Sequence, residues 1–202
     1  MNIKAEFLDK LKQFEKKYLT LADFEKLLGR ERRSLRVLIH RLVKEGFLIR
    51  LGPGIYILPD NRAYLDQIAN QLYYPSYLSL VSALSRYGII GQIPYSLTFA
   101  TLKKSKKMVL GGTEVVYSQL KPELYFGYKL EGGMNMAYPE KAILDQVYLA
   151  SLGKGFMDYE ELTLIDLDKQ RFKDYAKKFP KRIRRGVREI KKRWGQVFVG
   201  VK

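Results

Sequence analysis

The side chains best suited to chemistry in this sequence are basic, and they are concentrated in residues 30–44. This span holds five arginines, one lysine and the only histidine of the chain. On a helix, Leu35, Leu38 and Leu42 share one side and the basic residues lie opposite them. Guanidinium groups bind phosphates and the guanine edge through paired hydrogen bonds, so this pattern indicates nucleic-acid binding rather than catalysis.

The position of each basic residue suggests its role on DNA. Arg32, Arg33 and Arg36 fall in the first two turns, the part of a recognition helix that meets base edges. An arginine that binds guanine bidentately contributes about 1–3 kcal/mol of discrimination. The other candidates are placed for phosphates or for an adjoining wing. The predicted DNA-binding residues are Thr20, Arg30, Arg32, Arg33, Ser34, Arg36, Val37, His40, Arg41, Lys44, Arg50 and Gly52.

Two alternatives stay open at this helix. Small three-helix domains also serve as dimerisation or docking modules, in which such a helix only packs. His40 lies on the polar face, where it either contacts a phosphate or base or is simply solvated. A single histidine does not build a metal site alone.

A second basic segment covers residues 177–196, which hold ten Lys and Arg and one acid. Ile183, Val187, Ile190 and Trp194 recur at helical spacing and predict a narrow apolar face. A second nucleic-acid face, a contact for an acidic protein, a membrane-surface helix and a solvated helix are all open interpretations. The lysines of residues 102–107 either extend this field or form a solvated loop. The secondary basic surface is Lys103, Lys104, Lys106, Lys107, Lys181, Arg182, Arg184, Arg185, Arg188, Lys191 and Lys192.

The motifs of common enzymes are missing from the sequence. It has no cysteine, no G-x-S-x-G and no phosphate-binding G-x-x-x-x-G-K-[ST]. The nearest approach to a charged cluster is Glu140, Lys141 and Asp145, and we expect Lys141 and Asp145 to pair across one turn on a helix surface. We therefore expect no enzyme, no cofactor and no metal.

Composition agrees with a globular protein that binds a polyanion. The 202 residues are 47% apolar and carry a net charge of +16. Residues 1–60, 61–150 and 151–202 carry net +5, +3 and +8, so the excess is clustered at the two ends. The absence of cysteine, of a signal sequence and of a long apolar run predicts a cytoplasmic location without a membrane span.

The residues around the basic helix predict a compact domain over residues 1–60. Apolar spacing predicts helices over residues 3–17, 21–28 and 31–45, the second one between a Thr20 cap and Gly29. Two strands follow, residues 47–51 and 55–58, around the Gly-Pro-Gly turn. Three helices and a hairpin in this order are typical of a winged helix-turn-helix.

Residues 61–202 predict a second domain of mixed type. The patterns indicate helices over residues 58–74, 75–88 and 138–153, and a basic helical region from Asp158 onwards. Residues 96–102 predict a strand, and the Gly-Gly pairs at residues 111–112 and 132–133 predict two hairpins. The predicted fold is α+β: an N-terminal winged helix-turn-helix, then a mixed α/β domain with antiparallel hairpins and a basic C-terminal helix.

Four segments resemble one family in their order and spacing. They are LVKEGFLIRLGPGIYIL, YYPSYLSLVSALSRYGIIGQIP, TFATLKKSKK and YPEKAILDQVYL. Over about residues 5–150 the chain resembles the AbiEi antitoxins of type IV toxin–antitoxin systems, also described as transcriptional regulators of viral (phage) defence. Arg32, Arg33, Arg36 and Lys44 match the DNA-facing helix of that family.

The resemblance implies a function that the residues alone do not show. Members bind repeats in their own promoter through the winged helix and repress it, and the C-terminal domain is linked to antitoxicity. The partner gene encodes a nucleotidyltransferase-like toxin, which the antitoxin counters without a stable complex. The alternative is an RNA-binding or protein-docking module that uses the basic C-terminal helix, with the winged helix as a packing or dimerisation element.

Overall fold

The computed structural model describes residue 11, residues 16–164 and residues 166–197. The chain is a mixture of helices and sheets, as the sequence predicts. It divides into two compact units, the first formed by residues 1–69 with 109–113 and the second by residues 70–108 with 114–202. The helix predicted over residues 3–17 falls almost wholly outside the described residues.

Within its described residues, the first unit contains β1 (Leu19–Thr20), α1 (Leu21–Leu28), α2 (Arg32–Lys44), β2 (Ile49–Gly52) and β3 (Ile55–Ile57). The strands form a three-stranded sheet in the order β1-β3-β2. Both β1 and β2 pair antiparallel with β3, and an irregularity between Arg50 and Gly52 shifts the register of β2. The helices and strands predicted over residues 21–58 are therefore confirmed to within a few residues.

The bounds of α1 follow from its capping residues. The Thr20 side chain accepts a hydrogen bond from the Asp23 amide, and the Asp23 carboxylate accepts one from the Thr20 amide. This reciprocal arrangement satisfies two amides that a helix start leaves without partners. Gly29 ends the helix in the left-handed region at φ 60°, where a residue without Cβ is favoured.

The core of the first unit is built from the apolar faces of these two helices. Phe24 of α1 and Leu35, Ile39 and Leu42 of α2 are buried together with Leu48. Burying one such side chain stabilises a fold by about 1.5–3 kcal/mol. This packing fixes which face of α2 points outwards.

The second unit is built on a six-stranded mixed sheet in the order β6-β7-β5-β4-β9-β8. The central strand β4 runs antiparallel to β5 and parallel to β9, and β5 runs parallel to β7. The strands are β4 (Ser76–Leu78), β5 (Ser96–Thr101), β6 (Lys106–Leu110), β7 (Thr113–Gln119), β8 (Tyr128–Glu131) and β9 (Met134–Ala137). The two hairpins predicted at the Gly-Gly pairs are confirmed.

In the described part of the chain, five helices accompany this sheet or lead into it. They are α3 (Leu65–Leu72), α4 (Leu80–Arg86), α5 (Pro139–Ser151), α6 (Lys169–Lys177) and α7 (Arg184–Val197), with 3₁₀ helices at Pro59–Tyr64, Pro122–Leu124 and Lys181–Ile183. Residues 140–149 of α5 are all buried, so this helix is the centre of the core. Ile183, Ile190 and Trp194 of the C-terminal segment are buried in the same core.

The helix predicted over residues 75–88 is wrong in its first half. Ser76, Tyr77 and Leu78 form the strand β4, and the helix begins only at Leu80. All three residues of β4 are buried between two neighbouring strands. A strand covered on both faces shows no alternation of apolar and polar residues, and three residues are too few to reveal a period.

Two other predicted helices are interrupted. The one from Pro59 starts as a 3₁₀ helix and becomes α3 only at Leu65. The basic region from Asp158 is non-helical in its described residues as far as Asp168, and Pro180 separates α6 from the segment leading into α7. Proline lacks an amide donor and disfavours a helical conformation in the residue before it, which accounts for this second break.

None of the helices in the described part of the chain has the length and apolar character needed to span a bilayer.

Candidate nucleic-acid interface

The basic face predicted for residues 30–45 lies on the surface of α2. Leu35 and Leu42 are fully buried and Ile39 nearly so. The opposite side is exposed and contains one large apolar residue, Val37, at 70% exposure. The exposed predicted residues of this face are Arg33, Ser34, Arg36, Val37, His40, Arg41 and Lys44. The structure therefore brings these seven residues together on one helix.

Among the described residues, Arg32 is the arginine of α2 that has a carboxylate partner. Its Nε donates to Glu25 Oε1 at 2.5 Å, which ties the start of α2 to α1. Both side chains are partly exposed, so the pair adds little to stability but offsets the charge of Arg32. Among the described residues, no ion pair is formed by Arg33, Arg36, Arg41 or Lys44.

Thr20 lies half-buried at the start of α1, where its hydroxyl is already used. It donates to Asp23 Oδ2 at 2.7 Å and accepts from the Asp23 amide at 3.3 Å. Burial raises the pKa of Asp23, but hydrogen bonds from Thr20 and from Lys16 at 3.0 Å outweigh this and hold it below the ordinary value. If Thr20 contributes to DNA binding, it therefore does so mainly by fixing the position of α1.

The β2–β3 hairpin presents the remaining candidates of the first unit. Arg50 is exposed, and its Nε donates to the Gly52 carbonyl at 3.3 Å. Pro53 and Gly54 at the turn are exposed, with Gly54 at φ +71°. The Leu51 carbonyl accepts from the Gly111 amide at 2.8 Å, so residues 109–113 belong to this unit. Arg30 is exposed in the connection before α2.

The predicted lysine cluster surrounds the connection from β5 to β6. Lys103, Lys104, Lys106 and Lys107 are all exposed. The Nζ atoms of Lys103 and Lys106 lie 5.1 and 5.2 Å from the centre of the Tyr73 ring. Lys107 pairs with Glu114 at 3.4 Å. Part of this charge is therefore already engaged by an aromatic ring and a carboxylate.

The predicted basic residues of the C-terminal segment are all on the surface. They are Lys181, Arg182, Arg184, Arg185, Arg188, Lys191 and Lys192. The apolar positions predicted between them lie inwards, with Ile183, Ile190 and Trp194 in the core of the second unit and Val187 packed against it. The structure thus separates the charged and the apolar residues of this segment.

The pair formed by Lys141 and Asp145 is buried, which contradicts the surface position expected from the sequence. Both side chains are fully inaccessible, and Lys141 Nζ donates to Asp145 Oδ1. Tyr77 and Ser79 donate to Asp145 Oδ2 at 3.0 and 2.9 Å. Every other residue near this position of α5 is also buried, so the i,i+4 spacing predicted the pairing but not the location.

Burial sets the protonation tendencies of this buried pair. It lowers the pKa of Lys141 and raises that of Asp145, while their mutual attraction acts in the opposite direction on each. The Phe126 and Phe179 rings lie 5.0 Å from Lys141 Nζ and close the site to solvent. The cluster therefore joins α5 to β4 and offers no access to a ligand.

No metal centre is found in the part of the chain that the structure describes. Groups of three or more His, Asp or Glu side chains close enough to hold an ion do not occur there. The exposed basic faces of the two units suit an anionic ligand.

Comparison with known protein families finds a match in the N-terminal part of the chain. Residues 6–59 match the family model described as "Transcriptional regulator, AbiEi antitoxin". The family match covers α1, α2 and the β2–β3 hairpin. No match is found among curated proteins.

One solved structure extends the comparison to both units. The chain is similar to the crystal structure of the RV2827C protein from Mycobacterium tuberculosis, with a TM-score of 0.62 and 15% sequence identity. The alignment covers 93% of this chain and 75% of that one. At this identity the likeness concerns the fold. Over residues 6–59 the family match agrees with the resemblance inferred from the sequence, and this part of the chain is similar to the AbiEi antitoxin family of transcriptional regulators.

Proposed function

We propose that the chain is a DNA-binding repressor whose first unit acts as a winged helix-turn-helix. In this proposal α2 enters the major groove and the β2–β3 hairpin is the wing. The observation that carries it is the outward face of α2, where Arg33, Arg36, Arg41 and Lys44 are exposed without a carboxylate between Glu31 and Glu45.

The charges of α2 favour a polyanionic partner. A solvated helix gains a few tenths of a kcal/mol from each pair of opposite charges three or four residues apart. Here Arg33 and Arg36 are three residues apart, as are Arg41 and Lys44, so like charges are neighbours. Phosphates that approach this face would relieve the repulsion.

The arginines of α2 differ in the role that we assign to them. Arg33 and Arg36 lie near its N-terminal end, where a recognition helix contacts base edges. Arg32 lies in the same turn but shares its charge with Glu25, so we expect it to contribute less. Arg41 and Lys44 lie in the last turn and suit phosphates, as does Arg50 of the hairpin.

The biological role that we propose follows the family. The chain represses its own operon and acts as the antitoxin of a type IV system, with a nucleotidyltransferase-like toxin that it counters without a stable complex. The family match to residues 6–59 supports the regulatory role, and no catalytic step is assigned to the chain. The antitoxin role is assigned to the second unit.

The DNA-binding proposal is tested with duplexes from the region upstream of the gene. Affinity for this duplex is compared with that for a scrambled duplex of equal composition, at several salt concentrations. We expect a clear preference for the upstream sequence, and binding without any preference would refute a repressor. Arg33→Ala and Arg36→Ala should each weaken specific binding by about tenfold, whereas Lys154→Ala, an exposed lysine of the second unit, should not.

The antitoxin proposal has a separate test. A reading frame for a nucleotidyltransferase next to this gene is expected, and its expression should arrest growth. Co-expression of the full chain should restore growth, and so should the Arg33→Ala Arg36→Ala variant, because the antitoxin role is assigned to the second unit. If growth stays arrested with the wild-type chain, the antitoxin role is wrong even when repression holds.

The alternative of an RNA-binding or protein-docking module rests on the exposed cations of α7. It predicts that substitutions in α7 abolish binding while those in α2 leave it unchanged. Deleting residues 177–202 does not decide the matter, because it removes Ile183, Ile190 and Trp194 from the core. Surface substitutions in α7 are therefore the appropriate variants.

A further inference from the structure

We propose that a row of five cations on the second unit binds the phosphate backbone of duplex DNA without regard to sequence. The row, which we call the cation stripe, comprises Lys177, Lys181, Arg184, Arg188 and Lys191. These residues line one surface groove together. The choice of DNA rests on the proposed function, but the stripe itself lies in a different unit from α2.

Three members of the stripe share one face of α7, because Arg184, Arg188 and Lys191 are four and three residues apart. The groove adds Lys177 from the end of α6 and Lys181 from the 3₁₀ helix before α7. On the inner side Ile183, Ile190 and Trp194 pack into the core and prevent the helix from turning about its axis. The cations are thus held outwards by the fold.

Most of the charge in the stripe is uncompensated. Lys177 pairs with Asp174 at 2.7 Å. For the other four, no carboxylate partner occurs within the described residues. The acid of the helix, Glu189, lines a different groove together with Arg182 and Arg185. The groove of the stripe has no acidic residue in its lining.

The arrangement works against the stability of the helix that carries it. Arg184 starts α7, and its first turn contains no acid. The amino end of a helix carries partial positive charge, so cations there are repelled. Arg184 and Arg188 are also like charges one turn apart. An anion bound in the groove would offset both effects.

The surroundings of the stripe favour a duplex over a single strand or a protein. Single-stranded nucleic acids are held largely by stacking on exposed aromatic rings. The nearby rings of Phe179 and Trp194 are only 7% and 5% exposed. An amphipathic helix of a protein partner needs apolar anchor sites, but Ile183 in the groove is buried and Val187 is half-buried. The groove therefore recognises a partner mainly through its positive charge, which suits the phosphates of a duplex.

The test measures binding of the full chain to a scrambled DNA duplex as salt is varied. The variant is Arg188→Gln Lys191→Gln, and the matched control is Lys121→Gln Lys154→Gln, which removes the same charge from exposed positions of the same unit. Each phosphate contact contributes about 0.9 to the slope of log affinity against log salt. We expect the stripe variant to lower the slope by about 1.8 and the control to leave it unchanged.

Three outcomes overturn the proposal. One is an unchanged slope in the stripe variant, and the second is an equal fall in the control, which would show a general charge effect. The third is stripe-dependent binding of single-stranded RNA that is tighter than that of the duplex. The test uses a scrambled duplex, so it remains valid even if the chain shows no preference for the upstream sequence. If the chain prefers the upstream sequence but the stripe variant leaves the salt slope unchanged, only the stripe proposal is wrong and the proposed function stands.

Discussion

Lys141 and Arg33 carry the same charge, but their surroundings assign them different roles. Lys141 is fully buried against Asp145, Tyr77 and two aromatic rings. Arg33 is exposed on α2 without a carboxylate partner among the described residues. The charge of Lys141 is paired inside the core, whereas the charge of Arg33 is available to a ligand. Residue type alone does not separate these roles.

The buried cluster predicts strong coupling between Lys141 and Asp145. Removing one partner leaves an unpaired charge in the core, so Asp145→Leu should destabilise the chain by about 3–5 kcal/mol. Lys141→Met Asp145→Leu should cost less than the sum of the two single changes. Urea unfolding followed by circular dichroism measures all three. Additivity within about 0.5 kcal/mol would show that the pair is not coupled.

The Asp23 cap predicts a dependence of stability on pH in the first unit. Because the folded state holds the pKa of Asp23 below its ordinary value of 3.8, its contribution is fully present above that value and is lost as pH falls below it. Asp23→Asn should cost about 1 kcal/mol at neutral pH. The stability difference between the two proteins should shrink below about pH 4. A difference that stays constant down to pH 2 would exclude this role for the carboxylate.

Among the secondary-structure elements, those with strong local signals were predictable from the sequence. Thr20 and Gly29 bound α1 where the capping pattern placed them, and Gly111-Gly112 and Gly132-Gly133 form the turns of two hairpins. The outward face of α2 followed from its apolar spacing. In each case the deciding contacts are between residues close in the chain.

The features that escaped prediction depend on contacts distant in sequence. β4 is a strand because β5 and β9 flank it, and no residue near Ser76 reveals this. Lys141 is buried because α5 is enclosed by the sheet and the C-terminal segment, although a Lys–Asp pair one turn apart normally lies on a surface. The carboxylate partner of Arg32, Glu25, is only seven residues away, but it lies on another helix, α1, and was likewise not predicted.

The packing of α7 predicts opposite effects for its two glycines. A Cβ at Gly186 would lie 2.5 Å from Tyr159 Oη and 2.6 Å from Val147 Cγ1, whereas a Cβ at Gly195 has nothing within 4 Å. Gly186→Ala should therefore destabilise the chain by about 1–3 kcal/mol. Gly195→Ala should stabilise it by up to about 1 kcal/mol through helix propensity. Thermal unfolding of the two variants measures these changes in stability. Equal effects at both positions would contradict the close approach of α7 to α5.

At the scale of the whole molecule, the net charge of +16 is divided between surfaces with different roles. In our account α2 supplies sequence preference and the cation stripe supplies affinity that does not depend on sequence. Both contributions weaken as salt rises, but only the first distinguishes one duplex from another. The two effects can thus be separated by experiment although both rest on basic residues.

The central claim is that α2 lies in the major groove of DNA, and methylation interference tests it most directly. Methylation at guanine N7 blocks the major groove, and methylation at adenine N3 blocks the minor groove. We expect duplexes methylated at particular guanines of the upstream sequence to be depleted from the bound fraction, and Arg36→Ala to remove the depletion at one or more of them. Interference at adenine N3 alone, or a guanine pattern unchanged by Arg33→Ala and Arg36→Ala, would contradict the account.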